Sequence, residues 1–189
     1  MNVPNKLTVI RMLLIPVCMF FIVFTVIPDT WSRIISTALF IITSLTDMLD
    51  GMIARKKNMV TNFGKFLDPV ADKLLIIGTF LAILVRYREN DLFVQLMLWS
   101  LFIIITREIA VTSLRMICSS SVVIAAGFLG KIKTVSQMLC VIVILLEPVV
   151  CPGLHNIPSI IMVIIAAVLT LLSGLSYFKS YWQYIDPRE

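Results

Sequence analysis

Four aspartates lie between residues 47 and 72 of this chain, although 59% of its residues are hydrophobic. A carboxylate placed in a membrane helix costs about 2.5–3.5 kcal/mol on insertion scales, so four of them cost roughly 10 kcal/mol unless something offsets their charge. A pair of divalent cations is the natural counterpart for so many carboxylates. The candidate metal ligands are therefore Asp47, Asp50, Asp68 and Asp72.

The spacing of these aspartates predicts that they meet across two helices. Asp47 and Asp50 are three residues apart and share one helical face. Asp68 and Asp72 are four residues apart and share a face of a second helix. The basic segment 55–58 between the pairs is predicted to form a short turn. The two helices would then be antiparallel neighbours, with their carboxylates facing each other across a cleft.

An all-carboxylate site without histidine or cysteine selects hard cations such as Mg²⁺, Mn²⁺ or Ca²⁺. Two such ions about 4 Å apart can clamp a phosphoryl group and stabilise its attacking and leaving oxygens. Arg55 follows on the same face and could hold a diphosphate with its planar guanidinium. Gly51, Ala54 and Gly64 leave room for a substrate to approach the backbone. The residues predict metal-assisted chemistry on a phosphoester at a membrane surface.

The elements that position these groups are predicted to be membrane helices. A chain of 189 residues that is 59% hydrophobic and 14% charged is typical of an all-α integral membrane protein. It has room for about six spans of roughly 20 residues each. We expect one domain over residues 1–189, with spans at Asn5–Ile27, Trp31–Ala54, Asn62–Val85, Leu92–Ile117, Gly127–Pro148 and Ile157–Tyr181.

The distribution of charge predicts how the chain sits in the membrane. If the N-terminus is inside, six spans place thirteen of the sixteen Lys and Arg residues on one side and leave Arg33, Arg86 and Arg88 on the other. The positive-inside rule then orients the aspartates and both termini toward the cytoplasm. The apolar run 12–27 has no signal-peptidase site, so we expect it to be a retained span.

Several other residues are expected to have ordinary structural roles. Tyr87 and Tyr177 are predicted to lie in aromatic belts at the two membrane interfaces. Glu147 is predicted to face solvent near the end of a span. His155, the only histidine, lies in a loop on the side away from the aspartates. The cysteines form no CxxC pair and are expected to be buried free thiols: Cys18, Cys118, Cys140 and Cys151.

The aspartate pattern resembles a known family motif. Asp-x2-Asp-Gly-x2-Ala-Arg-x8-Gly-x3-Asp-x3-Asp is the defining motif of the CDP-alcohol phosphotransferases, and residues 47–72 match all eight of its fixed positions. The likeness extends over essentially the whole chain. The segments that resemble bacterial members making phosphatidylglycerophosphate are Asn5–Arg11, Arg107-Glu108, Arg115 and Gly130–Thr134.

This resemblance implies six membrane helices, usually in a homodimer, around a polar active-site cavity that faces the cytoplasm. It implies two divalent metal ions, Mg²⁺ or Mn²⁺. By position, Asp47 and Asp68 would contact both ions, Asp50 would contact one, and Asp72 would contact the other. Asp72 would also be the catalytic base that takes the proton from the acceptor hydroxyl.

The resemblance also implies the donor substrate, CDP-diacylglycerol. Its cytidine diphosphate part would be held at Asn5, Thr8, Gly51, Arg55 and Thr61, beside the small residues Ala54 and Gly64. The acceptor hydroxyl would attack the phosphorus attached to diacylglycerol and release CMP. The expected acceptor is sn-glycerol 3-phosphate, and the expected location is a bacterial plasma membrane. We expect membrane lipids, and not nucleic acid, as further partners.

The acceptor site leaves alternatives open. Arg107, Arg115, Lys131 and Lys133 are predicted to bind an anionic acceptor, but the same charges could be topology determinants. Arg107 could instead pair with Glu108. Inositol phosphate, phosphatidylglycerol and serine remain alternative acceptors in the same chemistry. A cation transporter that uses the aspartates, or an inactive scaffold, would be a different class of protein. The absence of an internal repeat disfavours transport, and the intact aspartates disfavour a scaffold.

Overall fold

The computed structural model describes residues 3–24, 26–56, 61–118 and 127–182, with the side chains at 3–4, 47–56, 62, 65 and 117–118 left out of that description. Within these ranges the chain forms six α-helices and one short 3₁₀ helix (Pro152–Leu154), and no strand. The predicted all-α class is confirmed. The helices are α1 (Val3–Val23), α2 (Asp29–Lys56), α3 (Asn62–Arg86), α4 (Asp91–Cys118), α5 (Phe128–Val150) and α6 (Ile157–Tyr181).

The helix bounds follow the predicted spans closely, with one correction. Helix α1 ends at Val23 and not at Ile27. Pro28 has no amide hydrogen to donate to the carbonyl of Phe24, so the helical hydrogen bonds cannot continue through it. Among the described residues, four helices are long and apolar enough to cross a membrane: α1, α4, α5 and α6. Helices α2 and α3 are not among these four within the described residues, and the sequence of each contains several charged residues. The fold is therefore that of a multi-pass membrane protein with four candidate spans, where the sequence predicted six.

Two groups of helices make up the bundle. Helix α1 packs against α2 and α3, and helix α6 packs against α4 and α5. Contacts between α2 and α5, and between α3 and α4, join the two groups. The apolar core between them contains large buried side chains such as Phe40, Phe80, Phe93, Met97 and Leu145. Many large apolar side chains are exposed on the outer surface, as expected for helices that face lipid.

Side-chain contacts show which helix ends lie together. The N-termini of α1, α3 and α5 lie at the same end as the C-terminal parts of α4 and α6. We call this the aspartate end, because Asp68 and Asp72 lie in the N-terminal half of α3. At the other end, which we call the distal end, Arg33 of α2 donates to the Tyr87 hydroxyl, which in turn donates to the carbonyl of Ile144 on α5.

An ion-pair cluster ties three helices together at the distal end. Asp29 pairs with Arg33 at 2.7 Å and also with Arg86, which donates to the Ile22 carbonyl of α1 at 2.5 Å. Partial burial of the Asp29 carboxyl opposes its ionisation, but the hydrogen bonds and charges of the two arginines outweigh it and hold its pKa below the ordinary value. Asp29 therefore stays ionised and linked to both arginines at neutral pH.

Three side chains lie elsewhere than the sequence predicted. Tyr87 and Tyr177 are buried between helices and do not face outward, because each phenol is hydrogen-bonded across helices. Glu147 is also buried and accepts hydrogen bonds from the amide of Ser159, at 2.9 Å, and from its hydroxyl. The short connection between α5 and α6 brings this carboxylate to the first turn of α6, where it satisfies an amide that has no partner within the helix.

The cysteine prediction is confirmed in part. Cys18 and Cys140 are buried free thiols, whereas Cys151 is free but exposed, because it lies at the end of α5 in the connection to α6. The side chain of Cys118 lies outside the described residues. His155 is exposed in the same connection, at the distal end.

Replacing Glu147 tests the role of its carboxylate in holding α6. Glu147→Ala removes the acceptor of two hydrogen bonds in a buried position, so we expect a loss of about 1–3 kcal/mol in stability. The measurement is the thermal unfolding midpoint in detergent micelles. Glu147→Gln keeps the volume and one acceptor oxygen, and should retain most of the stability. An alanine variant as stable as the wild type would contradict this role.

Candidate functional site

A small polar cluster joins the N-termini of α1 and α3. The Thr61 hydroxyl caps α3 by accepting from the Gly64 amide at 3.0 Å, and it donates to the Asn5 side-chain oxygen at 3.0 Å. Asn5 is buried. A threonine at the N-cap is favourable because it satisfies an amide in the first turn of the helix. The cap thus brings together three residues predicted to hold the nucleotide.

Glycine is required at position 64 by the close approach of α1. A Cβ atom built on Gly64 would lie 2.9 Å from the Asn5 Oδ1 and 3.3 Å from the Thr61 Oγ1. Such contacts are shorter than side chains tolerate without moving. The hydrogen bond between Thr61 and Asn5 therefore depends on the absence of a side chain at this position.

One turn further along both helices, a second contact joins the predicted nucleotide site to a predicted metal ligand. The Thr8 hydroxyl of α1 donates to the Asp68 Oδ1 of α3 at 2.9 Å. Thr8 is buried, and Asp68 is partly buried. The hydrogen bond holds the carboxylate in a fixed orientation.

Asp72 lies one turn beyond Asp68 and lines a cavity of about 720 Å³. The same cavity is lined by the four basic residues that were predicted to bind the acceptor. The described charged residues around it are Asp72, Arg107, Glu108, Arg115, Lys131 and Lys133. The fold thus places the predicted base and the predicted acceptor residues around one space, although they come from three different helices.

Glu108 is the anionic centre of this cavity wall. Its Oε1 accepts from Arg107 at 3.2 Å and from the ammonium of Lys133. Arg107 also donates to the Ser173 hydroxyl of α6 at 2.8 Å. Arg107 and Lys133 are both buried, so a shared carboxylate offsets part of the cost of placing two cations inside the bundle. Arg107 therefore pairs with Glu108 and also lines the cavity.

A smaller space of about 10 Å³ lies beside Asp72, Glu108 and Lys133. This volume is about that of one water molecule. Lys73, which also lines this space, donates to the Thr112 hydroxyl of α4 at 2.7 Å. These contacts hold α3 against α4 at the level of Asp72.

Sequence reasoning gave too small a role to two residues of the cavity wall. Glu108 appeared only as a partner of Arg107, and Tyr177 appeared only as an interfacial aromatic. Glu108 accepts from two cations, and the Tyr177 hydroxyl accepts from Arg115 at 2.8 Å and from the Gly127 amide at 2.9 Å. The sequence does contain a signal for Glu108, because a carboxylate within an apolar helix indicates a paired or functional group. No comparable signal marks Tyr177, because its partners are far away in sequence.

The α2 half of the motif is described as backbone only. Residues 47–55 continue helix α2. The structure does not describe the side chains of Asp47, Asp50, Ala54 and Arg55, nor the surroundings of Gly51. Among the side chains that are described, no group of three or more His, Cys, Asp or Glu residues comes together. The meeting of all four aspartates stays a prediction.

The described oxygen donors suit a hard divalent cation. Asp68 and Asp72 lie on one face of α3, one turn apart. Among the described residues that line the two spaces beside Asp72, the potential ligands are carboxylate, hydroxyl and amide oxygens, with no histidine or cysteine. Oxygen-only sites favour Mg²⁺, Mn²⁺ or Ca²⁺ over softer metals.

Comparison with known proteins gives a consistent result over the whole chain. The family model described as CDP-alcohol phosphatidyltransferase matches residues 1–172. Three bacterial relatives share the name CDP-diacylglycerol–glycerol-3-phosphate 3-phosphatidyltransferase. The relative from Bacillus subtilis is 39% identical, with 96% of each chain covered. The relative from Rickettsia felis is 35% identical, with 97% of each chain covered. The relative from Salmonella typhimurium is 36% identical, covering 95% of this chain and 94% of its own.

Gly64→Ala tests the packing of α1 against the cap of α3. The added methyl group must displace the Asn5 side chain, so we expect stability to fall by about 1–3 kcal/mol, the usual range for overpacking. Gly153→Ala is the matched control, because a Cβ there meets no atom within 4 Å. The thermal unfolding midpoints of both variants give the answer. Equal midpoints would show that the close approach does not constrain position 64.

Proposed function

Because the chain belongs to the CDP-alcohol phosphatidyltransferase family, we propose that it transfers the phosphatidyl group from CDP-diacylglycerol to sn-glycerol 3-phosphate. The products are phosphatidylglycerophosphate and CMP. The observation that supports an anionic acceptor is the cavity lined by Asp72 and four cations. The relatives' names specify the same acceptor.

The charge of the cavity suits a phosphate monoester. Its described lining has four cations and two carboxylates, so the formal surplus is two positive charges. A phosphate dianion would neutralise this surplus. Arg115 and Lys131 are exposed and can reach an entering ligand, while Arg107 and Lys133 are buried beside Glu108. An acceptor without net charge, such as serine or a free alcohol, would leave the surplus uncompensated.

The donor nucleotide is assigned to the cluster at the N-termini of α1 and α3. We assign Asn5, Thr8, Thr61 and Gly64 to its binding, together with Gly51, Ala54 and Arg55 of α2. Arg55 would bind the diphosphate through its planar guanidinium. The hydrogen bond from Thr8 to Asp68 supports a nucleotide site beside the carboxylates of α3.

The reaction is a displacement at the phosphorus that carries diacylglycerol. The acceptor hydroxyl oxygen forms the new P–O bond, the bond from that phosphorus to the CMP oxygen breaks, and CMP leaves. Asp72 takes the hydroxyl proton, a role for which its position on the cavity wall is suitable. Asp47, Asp50, Asp68 and Asp72 would hold two Mg²⁺ or Mn²⁺ ions, which neutralise charge on the phosphate oxygens when bound.

The proposal includes an arrangement in the membrane. We assign residues 1–189 to one domain in which α2 and α3 also cross the bilayer, which gives six spans. The aspartate end opens a polar active-site cavity to the cytoplasm of a bacterial plasma membrane, since the acceptor and CMP are soluble in water. Both termini face the cytoplasm, and the enzyme works as a homodimer. The excess of basic residues at the aspartate end supports this orientation.

The test of function is CMP release by the purified protein from CDP-diacylglycerol with Mg²⁺ or Mn²⁺. Glycerol 3-phosphate, inositol phosphate, phosphatidylglycerol and serine are supplied in parallel reactions, with EDTA as the control. Metal-dependent release with glycerol 3-phosphate alone supports the proposal. Release with a different acceptor alone would keep the chemistry and overturn the acceptor. No release with any of them would overturn the function.

Asp47→Asn tests the metal centre. Because Asp47 is assigned to both ions, we expect kcat to fall by more than about a hundredfold, since even outer-shell changes at metal sites cost about 10- to 100-fold. Asp91→Asn is the matched control, because Asp91 is exposed at the distal end. Both variants should keep the wild-type unfolding midpoint. An Asp47→Asn enzyme with wild-type turnover would rule out the two-metal assignment.

Lys131→Ala and Lys133→Ala test the acceptor site. Each removes a cation from the cavity wall, so the KM for glycerol 3-phosphate should rise about tenfold, as expected for one charged hydrogen bond. The KM for CDP-diacylglycerol should change much less. Lys6→Ala is the control, since Lys6 is an exposed cation on α1 at the same end. Equal changes in both KM values would assign the two lysines to membrane topology.

A further inference from the structure

Tyr177 of α6 is a buried aromatic residue in the wall of the acceptor cavity. Its hydroxyl accepts from the Arg115 guanidinium of α4 at 2.8 Å and from the Gly127 amide, just before α5, at 2.9 Å. One phenol oxygen thus links the ends of three helices. Of the described basic side chains around the cavity, Arg115 is the one that this hydroxyl contacts.

The ring of Tyr177 makes a second kind of contact with the same cavity wall. The guanidinium carbons of Arg107 and Arg115 lie 5.4 Å and 5.3 Å from the ring centroid. Both distances are within the roughly 6 Å over which a cation is attracted to an aromatic face. Tyr177 therefore contacts both arginines assigned to acceptor binding, and its hydroxyl contacts one of them.

Arg115 needs such a contact more than Arg107 does. Arg107 is buried and is also held by Glu108 and Ser173. Arg115 is exposed, and a long exposed side chain loses much rotamer freedom when a ligand orders it. A hydrogen bond and a stacked ring that fix the guanidinium before the ligand arrives remove that cost from binding.

We propose that Tyr177 is a positioning residue that holds the Arg115 guanidinium at the cavity wall for the phosphate of the acceptor. This inference rests on the proposed function, because it assigns the cavity to an anionic acceptor. It predicts an effect on acceptor binding that passes through Arg115. A tyrosine that only stabilised the bundle would instead lower stability without separating the two substrates.

The experiment measures both KM values, kcat and the unfolding midpoint for Tyr177→Phe, Arg115→Ala and the double variant. Phenylalanine keeps the ring and removes only the hydroxyl. Tyr177→Phe should raise the KM for glycerol 3-phosphate about tenfold, the effect of one hydrogen bond to a charged group. The KM for CDP-diacylglycerol should stay within about twofold of wild type. In the Arg115→Ala background, the same substitution should add little, because the group it positions is already absent.

Tyr87→Phe is a closely matched control. Tyr87 is also buried, its hydroxyl accepts from Arg33 at 2.9 Å, and that guanidinium lies 5.5 Å from the ring centroid. This tyrosine is at the distal end, so its variant should lose stability and keep the wild-type ratio of the two KM values. If Tyr87→Phe changed the ratio of the two KM values as much as Tyr177→Phe does, loss of stability would explain the change in both variants.

Two results would overturn the inference. One is an unchanged KM for glycerol 3-phosphate in Tyr177→Phe, and the other is full additivity of Tyr177→Phe and Arg115→Ala. Failure of the proposed function is visible separately, because the wild-type protein would then release no CMP with glycerol 3-phosphate. The inference is therefore judged only on a wild-type enzyme that is active with this acceptor.

Discussion

Charged groups inside an apolar helical bundle must find partners on neighbouring helices, and this constraint shapes the whole aspartate end. Glu108 on α4 accepts from Lys133 on α5, and Asp68 on α3 accepts from Thr8 on α1. Lipid offers no substitute for these partners, since an unsatisfied polar group in hydrocarbon costs several kcal/mol. The contacts that make these charges tolerable are therefore also the contacts that hold the helix ends together around the site.

The same contacts divide the site between the two groups of helices. The cluster proposed to bind the nucleotide belongs to α1 and α3, where the Thr61 cap contacts Asn5. The cavity wall proposed to bind the acceptor belongs to α4, α5 and α6, where Tyr177 contacts Arg115. Asp72 is on α3 but lines the cavity of the second group. This boundary position suits the role we propose for Asp72, which is to take the proton of one substrate as it attacks the other, and the contacts between α3 and α4 maintain it.

The sequence predicted those features that depend on local pattern, and it failed on those that depend on distant partners. The approximate helix bounds follow from apolar runs, and the shared face of Asp68 and Asp72 on α3 follows from their spacing. The burial of Tyr177 could not be predicted, because the arginine that binds its hydroxyl is 62 positions away. Glu147 was wrongly predicted to face solvent, because its partner Ser159 is on the next helix. The mean hydropathy of α2 is lowered by the charged residues of its own sequence. It contains no information about α1 and α5, which pack against this helix.

The distribution of burial among the four cations gives them different tasks. Arg107 and Lys133 are buried and share the Glu108 carboxylate, so their charges are partly satisfied before any ligand enters. Arg115 and Lys131 are exposed at the same cavity, so their charges are accessible to an entering anion. If the cavity binds an acceptor phosphate, as we propose, attraction from the exposed pair would bring the anion in, and the rigid buried pair would fix where it stops. Such a site would recognise the phosphate by charge and align the acceptor hydroxyl by position, which is what displacement at phosphorus requires.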